Sequence, residues 1–205
     1  TNMPDVKDED SQGSEGSSFA NALKSMKLRW GIVAQFFYVG AQVCVGSFFI
    51  KMATTTTGLE EATAAKYLGF YGLAFMVGRF AGTFFMQYIQ PRKLLIIYAT
   101  INILLTVLAM TGTGIIVVYT LIAIAFFMSI MFPTIFSMGI DGLGNNTKIG
   151  SSLIVMSIVG GAFLPPVLGL ISDATNSIQM GYIVPLICFA IIVLFAFNGH
   201  KTNKA

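Results

Sequence analysis

The sequence predicts an all-α membrane protein, with six transmembrane helices forming one bundle. Three observations predict it. Hydrophobic residues make up 55% of the 205 residues and charged residues only 10%, where a soluble domain carries about 25% charged residues. Long apolar runs recur six times along the chain, each near the roughly 20 residues needed to cross a bilayer. The breaks between them are short and polar. Lipid satisfies no free backbone group, so each run must be helical.

Taken in order, residues 1–18, TNMPDVKDEDSQGSEGSS, are acidic and rich in Ser and Gly, the composition of a solvated linker. The chain opens on Thr1 without a basic, apolar and small-residue leader, which leads us to expect the interior of a longer protein cut at a linker. Next, in FANALKSMKLRW, Phe19, Leu23, Met26 and Trp30 recur at helical spacing with Lys24, Lys27 and Arg29 between them. That suits a short amphipathic helix on an anionic surface, or a basic flank that stops the next span. Residues 1–29 are thus expected to be a polar cytoplasmic linker, 30–197 the bundle and 198–205 a cytoplasmic tail. The spans fall near 30–53, 63–88, 92–111, 114–139, 151–172 and 180–197, separated by TTTTGLEEAT, QPRK, TGTG, DGLGNNTKIG and SDATNSIQ.

Lys and Arg set the orientation. With the linker inside, one side holds Lys7, Lys24, Lys27, Arg29, Arg92, Lys93, Lys148, Lys201 and Lys204, and the other only Lys51 and Lys66. Both termini are therefore expected in the cytoplasm, and the sequon at Asn145-Asn146-Thr147 then lies on the cytoplasmic side, where it is chance. The first and fourth spans are both long and interrupted, by Gly40 and Gly46 and by Pro133. Paired irregular helices are how inverted repeats of secondary transporters show in sequence, although no residue-level identity links the two triplets.

The first span carries Gln35, Tyr38 and Gln42 in its middle. At about 100° per residue, Gln42 lies about 20° from Gln35 and Tyr38 about 60° from it. Amides facing lipid unpaired cost a few kcal/mol each, at roughly the scale for buried polar groups. The three therefore face protein or a watery cavity, serving either interhelical hydrogen bonds or a path for a hydroxyl-rich solute. An amide both donates and accepts, as sugar hydroxyls require. In the fourth span Ser129, Phe132 and Phe136 share a face, where a ring could stack on a sugar or simply pack. Pro133 removes a backbone bond and bends the helix.

Charge at membrane depth is scarce. Asp141 and Asp173 sit at helix ends, Glu60 and Glu61 in a loop, and the sole histidine, His200, near the chain's end. A proton-coupled carrier needs a titrating group near the midplane, so coupling carboxylates are expected outside this chain. Arg79 is the exception, placed to snorkel or to latch a cytoplasmic gate by pairing with carbonyls or an acid. Gly78 and Gly82 have the spacing of a close helix contact, and Gly160, Gly161, Pro165 and Pro166 suggest a close-packed, broken fifth span. Asn102 reads as a structural amide. Cys44 and Cys188, inside apolar runs, read as packing residues. No catalytic grouping of paired acids, Ser with His, or metal ligands lies at membrane depth, so an enzyme is not expected, and nothing points to a metal or to nucleic acid.

AQFFYVGAQ, GRFAGT, MFPTIFSMGIDGLG, GSSLIVMSIVGGAFLPPVLGLISDAT and YIVPLICFA resemble the C-terminal half of the fucose–glucose–galactose proton symporters of the major facilitator superfamily, nearest the bacterial L-fucose permeases. The resemblance covers nearly all of residues 30–197. It implies helices 7–12 of a twelve-helix, multi-pass transporter of the bacterial inner membrane, with a six-helix N-terminal half as partner. It also implies a monosaccharide substrate, the lipid bilayer as surroundings, and a proton as coupling ion with no cofactor. The first and fourth helices of each half line the superfamily's cavity, which would put Gln35, Tyr38, Gln42, Ser129 and Phe132 near substrate, with Arg79 and Pro133 as gating or structural residues. This chain departs from some fucose symporters in having Phe132 where they have Tyr and Gly46 where they have Trp. Its VGSF is nearer the glucose–galactose branch, while Gln42 leans to the fucose branch. The expectation is therefore sugar import by alternating access, with L-fucose as the substrate, and glucose or galactose transport, or a sugar sensor without transport, as alternatives.

Overall fold

The computed structural model describes residues 22–198. The linker expected at 1–18, the start of the amphipathic stretch at 19–21 and the tail at 199–205 lie outside the described residues. Among those described, six helices are long and apolar enough to cross a membrane, as the sequence predicts: Met26–Ser47, Glu61–Phe85, Pro91–Thr111, Ile115–Ile140, Gly144–Thr175 and Ile178–Phe197.

The first span is α1 (Met26–Ser47) continued by α2 (Phe49–Thr57). It begins four residues before the sequence suggests, because Ser25 caps it: its hydroxyl accepts from the Leu28 amide. It also runs further, through the threonines of TTTTGLEEAT. Thr54, Thr56 and Thr57 donate their hydroxyls back to the carbonyls of Ile50, Met52 and Ala53, so they stay helical without needing water. Gly58, at φ 71°, ends the element. The second span, α3 (Glu61–Phe85), carries Glu61 in its first turn, where a negative charge complements the helix dipole. The third, α4 (Pro91–Thr111), starts on proline, whose missing N–H costs nothing there.

The fourth span comprises α5 (Ile115–Met128) and α6 (Met131–Ile140), interrupted at Ser129 and Ile130. In the fifth, α7 (Thr147–Met156) and α8 (Gly160–Thr175) are joined by a tight 3₁₀ turn at Ser157–Val159. That interruption falls before the proline pair, which lies inside α8. The sixth comprises α9 (Ile178–Gly181) and α10 (Ile183–Asn198).

The packing has a two-fold order that no residue identity announced. The first span packs on the fourth, fifth and sixth, and the fourth packs on the first, second and third; the third and sixth pack together. Exchanging the first three spans with the last three reproduces the same set, the arrangement of an internal repeat. The chemistry repeats too. At the second and fourth spans' crossing, a Cβ on Gly78 would lie 2.3 Å from the Phe126 carbonyl oxygen; at the fifth and first spans' crossing, one on Gly160 would lie 2.1 Å from the Phe36 carbonyl oxygen. Small residues permit such approaches, and dispersion over the close backbones stabilises them. Gly40 belongs to the same crossing as Gly160: α1 runs through it unbroken, and a Cβ there would strike Leu164.

The third and sixth spans cap each other. Arg92, at the start of α4, donates to the carbonyls of Ala196 and Phe197 at the end of α10. Gln179, at the start of the sixth span, donates to the carbonyls of Ala109 and Gly112 at the end of α4. Carbonyls at helix ends lack intrahelical donors, and two antiparallel neighbours supply them reciprocally. Ion pairs tie both ends of the first span: Lys27 to Asp141 at 3.2 Å and Lys51 to Asp173 at 3.8 Å. Both aspartates are exposed, so each pair contributes little.

Gly160→Ala should lower stability by about 1–3 kcal/mol through overpacking. Gly46→Ala, whose added carbon comes no nearer than 3.6 Å to the Tyr71 hydroxyl, should be neutral or stabilising. Thermal unfolding in detergent distinguishes them, and equal midpoints would refute the close-packing account.

Candidate functional site

The residues singled out in sequence gather at the interruption of the fourth span. Pro133 has no N–H, so the carbonyl of Ser129, four residues before it, loses its helical donor. The Arg79 guanidinium takes that place. Its Nε and one terminal nitrogen donate to the Ser129 carbonyl at 3.3 and 3.2 Å. The same guanidinium stands 5.4 Å from the centre of the Phe75 ring, within reach of a cation–π attraction. Arg79 thus pairs with a carbonyl and, among the described residues, with no acid.

Gly78 makes this reach possible. An added Cβ would meet the Phe126 carbonyl at 2.3 Å and the Ser129 hydroxyl at 2.7 Å, so only glycine lets α3 lie against the break. Gly82, one turn on, accommodates Ile130 in the same way.

Tyr38 closes the break from the other side. It is fully buried, and its hydroxyl donates to the Met128 carbonyl at 3.0 Å. Its ring meets Phe132 edge-on, centroids 6.1 Å apart. Ser129 is buried and turns its hydroxyl onto its own helix, donating to the Phe126 carbonyl at 2.7 Å. Three carbonyls within about one turn of backbone at the break, those of Phe126, Met128 and Ser129, thereby accept from a hydroxyl, a phenol and a guanidinium of three different spans. Phe132 is half-buried and Pro133 exposed.

The two amides of α1 differ from this group. Gln35 has no exposed surface, and neither its amide nitrogen nor its carbonyl oxygen meets a hydrogen-bond partner among the described residues. It lies one turn from Tyr38 on the same face of α1. Gln42, a turn beyond Tyr38 on the other side, is half-buried. Asn102 in α4 is also buried with both amide atoms unpartnered, though its neighbour Thr106 donates to its backbone carbonyl. Cys44 and Cys188 are free and buried.

Sequence reasoning passed over Tyr71 and Phe75. Tyr71 packs edge-on against Phe49 at 5.5 Å, and its hydroxyl lies beside Gly46 of α1. Tyr71, Phe75, Gly78, Arg79 and Gly82 share one face of α3; that spacing was the available signal.

A six-helix bundle with two-fold internal order, broken central helices and polar groups at the break is the architecture of one half of a secondary transporter. The comparisons agree. No family model matches the chain. It is 40% identical over 192 residues to the L-fucose-proton symporter of Escherichia coli (strain K12), covering 93% of this chain and 44% of that protein. It is 38% identical over 204 residues to a glucose/galactose transporter of Brucella abortus biovar 1 (strain 9-941), covering 97% and 48%. A crystal structure of the E. coli fucose:proton symporter FucP superposes with TM-score 0.90 at 37% identity, over 98% of this chain and 50% of that one. The chain belongs to the major facilitator superfamily and has the fold of the C-terminal six-helix bundle of its transporters. It spans about half the length of the relatives it matches.

If Arg79 replaces the bond that Pro133 forbids, the two residues are energetically coupled. Arg79→Ala should destabilise the protein by about 1–3 kcal/mol, the cost of a buried acceptor left unsatisfied. In a Pro133→Ala background, where the residue 133 amide can serve the Ser129 carbonyl, the same change should cost less by about 0.5 kcal/mol or more. Unfolding of the four proteins of this cycle measures the coupling, and strict additivity would refute it.

Proposed function

We propose that this bundle is the C-terminal half of a secondary active transporter that imports a monosaccharide with protons by alternating access, and that L-fucose is its substrate. The observation carrying the proposal is Gln35: a donor and acceptor withdrawn from solvent, unpartnered among the described residues, beside the broken fourth span. A sugar hydroxyl can satisfy both functions of an amide at once, and the relatives named for fucose and for glucose and galactose act on such molecules.

In this reading Gln35 and Gln42 hold hydroxyls while Phe132 offers a ring to the sugar's apolar face. Tyr38 and Ser129, whose hydroxyls are held by backbone carbonyls, shape the site and keep the break in place. Arg79 and Pro133 form the latch about which the fourth span bends when the bundle rocks. No Asp, Glu or His among the described residues lies mid-span, so the proton-carrying acid belongs to a preceding six-helix half. The location that follows is a bacterial inner membrane with residues 1 and 205 cytoplasmic. Glucose or galactose is the second reading, favoured by 38% identity to a transporter of those sugars over slightly more of the chain than the fucose symporter matches.

Uptake of labelled L-fucose by the full-length transporter tests the site. Gln35→Ala should lower uptake at limiting sugar about tenfold, in line with a hydrogen bond of about 1.4 kcal/mol, with Gln42→Ala lower by a smaller factor. Uptake near wild type in both removes Gln35 and Gln42 from the site. Competition by unlabelled glucose and galactose decides the substrate: fucose should displace the label at lower concentration than either, and the reverse order would favour the second reading.

A further inference from the structure

A groove of about 750 Å³ runs between α3 and α5. Its mouth is formed by Thr63, Lys66, Tyr67 and Tyr119, and it descends to Val77 and Phe126. The two helices run in the same direction here: Tyr67 and Tyr119, each near its helix's start, meet edge-on with centroids 6.2 Å apart. From Thr63 to Val77 the groove covers about 21 Å of helix, somewhat more than the roughly 15 Å of one leaflet's hydrocarbon. Below the mouth its walls are wholly apolar.

The groove has the polarity of a lipid: a cation, a hydroxyl and two phenols at the water boundary, with hydrocarbon walls beneath. Tyrosines favour the interface, and a lysine keeps its ammonium there while its stem covers apolar surface. Lys66 is exposed and forms no salt bridge with the described residues. Glu61 precedes it by five residues and so lies about 140° around the helix; Glu60 precedes the helix altogether. Neither shares the groove's face. The face of α3 suited to another protein helix is a different one. Ala62, Ala65, Gly69 and Gly72 are exposed along it, and a Cβ added at Gly69 or Gly72 would meet nothing within 4 Å. Small residues of that kind let helices approach closely, whereas the groove's bulky walls would hold a second helix off.

We propose that this groove binds an anionic phospholipid, its phosphate at Lys66 and an acyl chain laid between α3 and α5. The proposal requires that the bundle spans a membrane and does not depend on which solute, if any, it moves.

A photoreactive benzoylphenylalanine in place of Phe70, in the full-length protein in nanodiscs of phosphatidylcholine with a minority of phosphatidylglycerol, tests it by mass spectrometry of the adducts. Phosphatidylglycerol should be captured about 5-fold above its share of the disc, the ratio that about 1 kcal/mol of attraction to one lysine gives. Lys66→Ala should abolish the enrichment and Lys66→Arg keep it. Capture of both lipids in proportion to their abundance, enrichment that survives Lys66→Ala, or an adduct to another part of the protein would each overturn the proposal.

Discussion

The fold turns on one backbone carbonyl. Pro133 denies the Ser129 oxygen its helical donor in a place where lipid offers no replacement. A membrane helix can be broken only where other groups satisfy what the break exposes. Here the donors come from neighbouring spans: Arg79 from the second to Ser129, Tyr38 from the first to Met128, with Ser129 itself serving Phe126. For Arg79 to reach, α3 must lie almost in contact with the broken backbone, and Gly78 and Gly82 permit that. The second span's position and the fourth span's bend are therefore parts of one arrangement. A charged residue that hydropathy alone would count against a transmembrane helix is instead what makes an irregular one tolerable.

The same logic recurs across the bundle in its two-fold order. Where the second span uses glycines to meet the fourth, the fifth uses Gly160 and Gly161 to meet the first. Where Arg92 covers the end of the sixth span, Gln179 covers the end of the third. In each case a polar or small residue on one element meets a need created by backbone on its counterpart. These interactions are local, short and directional, so they fix the relative positions of the spans more sharply than apolar packing in lipid could. The first span, packed on the fourth, fifth and sixth, carries the polar face of Gln35, Tyr38 and Gln42.

Much of this was legible in the sequence, for identifiable reasons. Six apolar runs with polar breaks announce six spans because hydrocarbon thickness fixes helix length. Gly78 with Gly82, and Gly160 with Gly161, announce close crossings because only such residues permit them. Pro133 announces a bend. Hidden were the partners of each: that the Ser129 carbonyl is what Arg79 holds, that Gln179 reaches back across about 70 residues, and that Gly40 is a crossing and not an interruption. Such pairings join residues far apart in sequence and depend on which spans become neighbours, which periodicity does not report. The threonines of the first break were misplaced for a different reason. Their side chains look like loop, yet each hydroxyl can return its hydrogen bond to the preceding turn and stay helical.

Gln35 is the point where structure and proposed transport meet, because on the first span's polar face it is enclosed without a partner among the described residues. A structure of the full-length protein with L-fucose bound tests this most directly. The account requires the Gln35 amide within about 3 Å of a sugar hydroxyl, with the Tyr38 hydroxyl still held by the Met128 carbonyl. A sugar bound elsewhere, with Gln35 paired to the preceding half's own side chains or backbone, would contradict it.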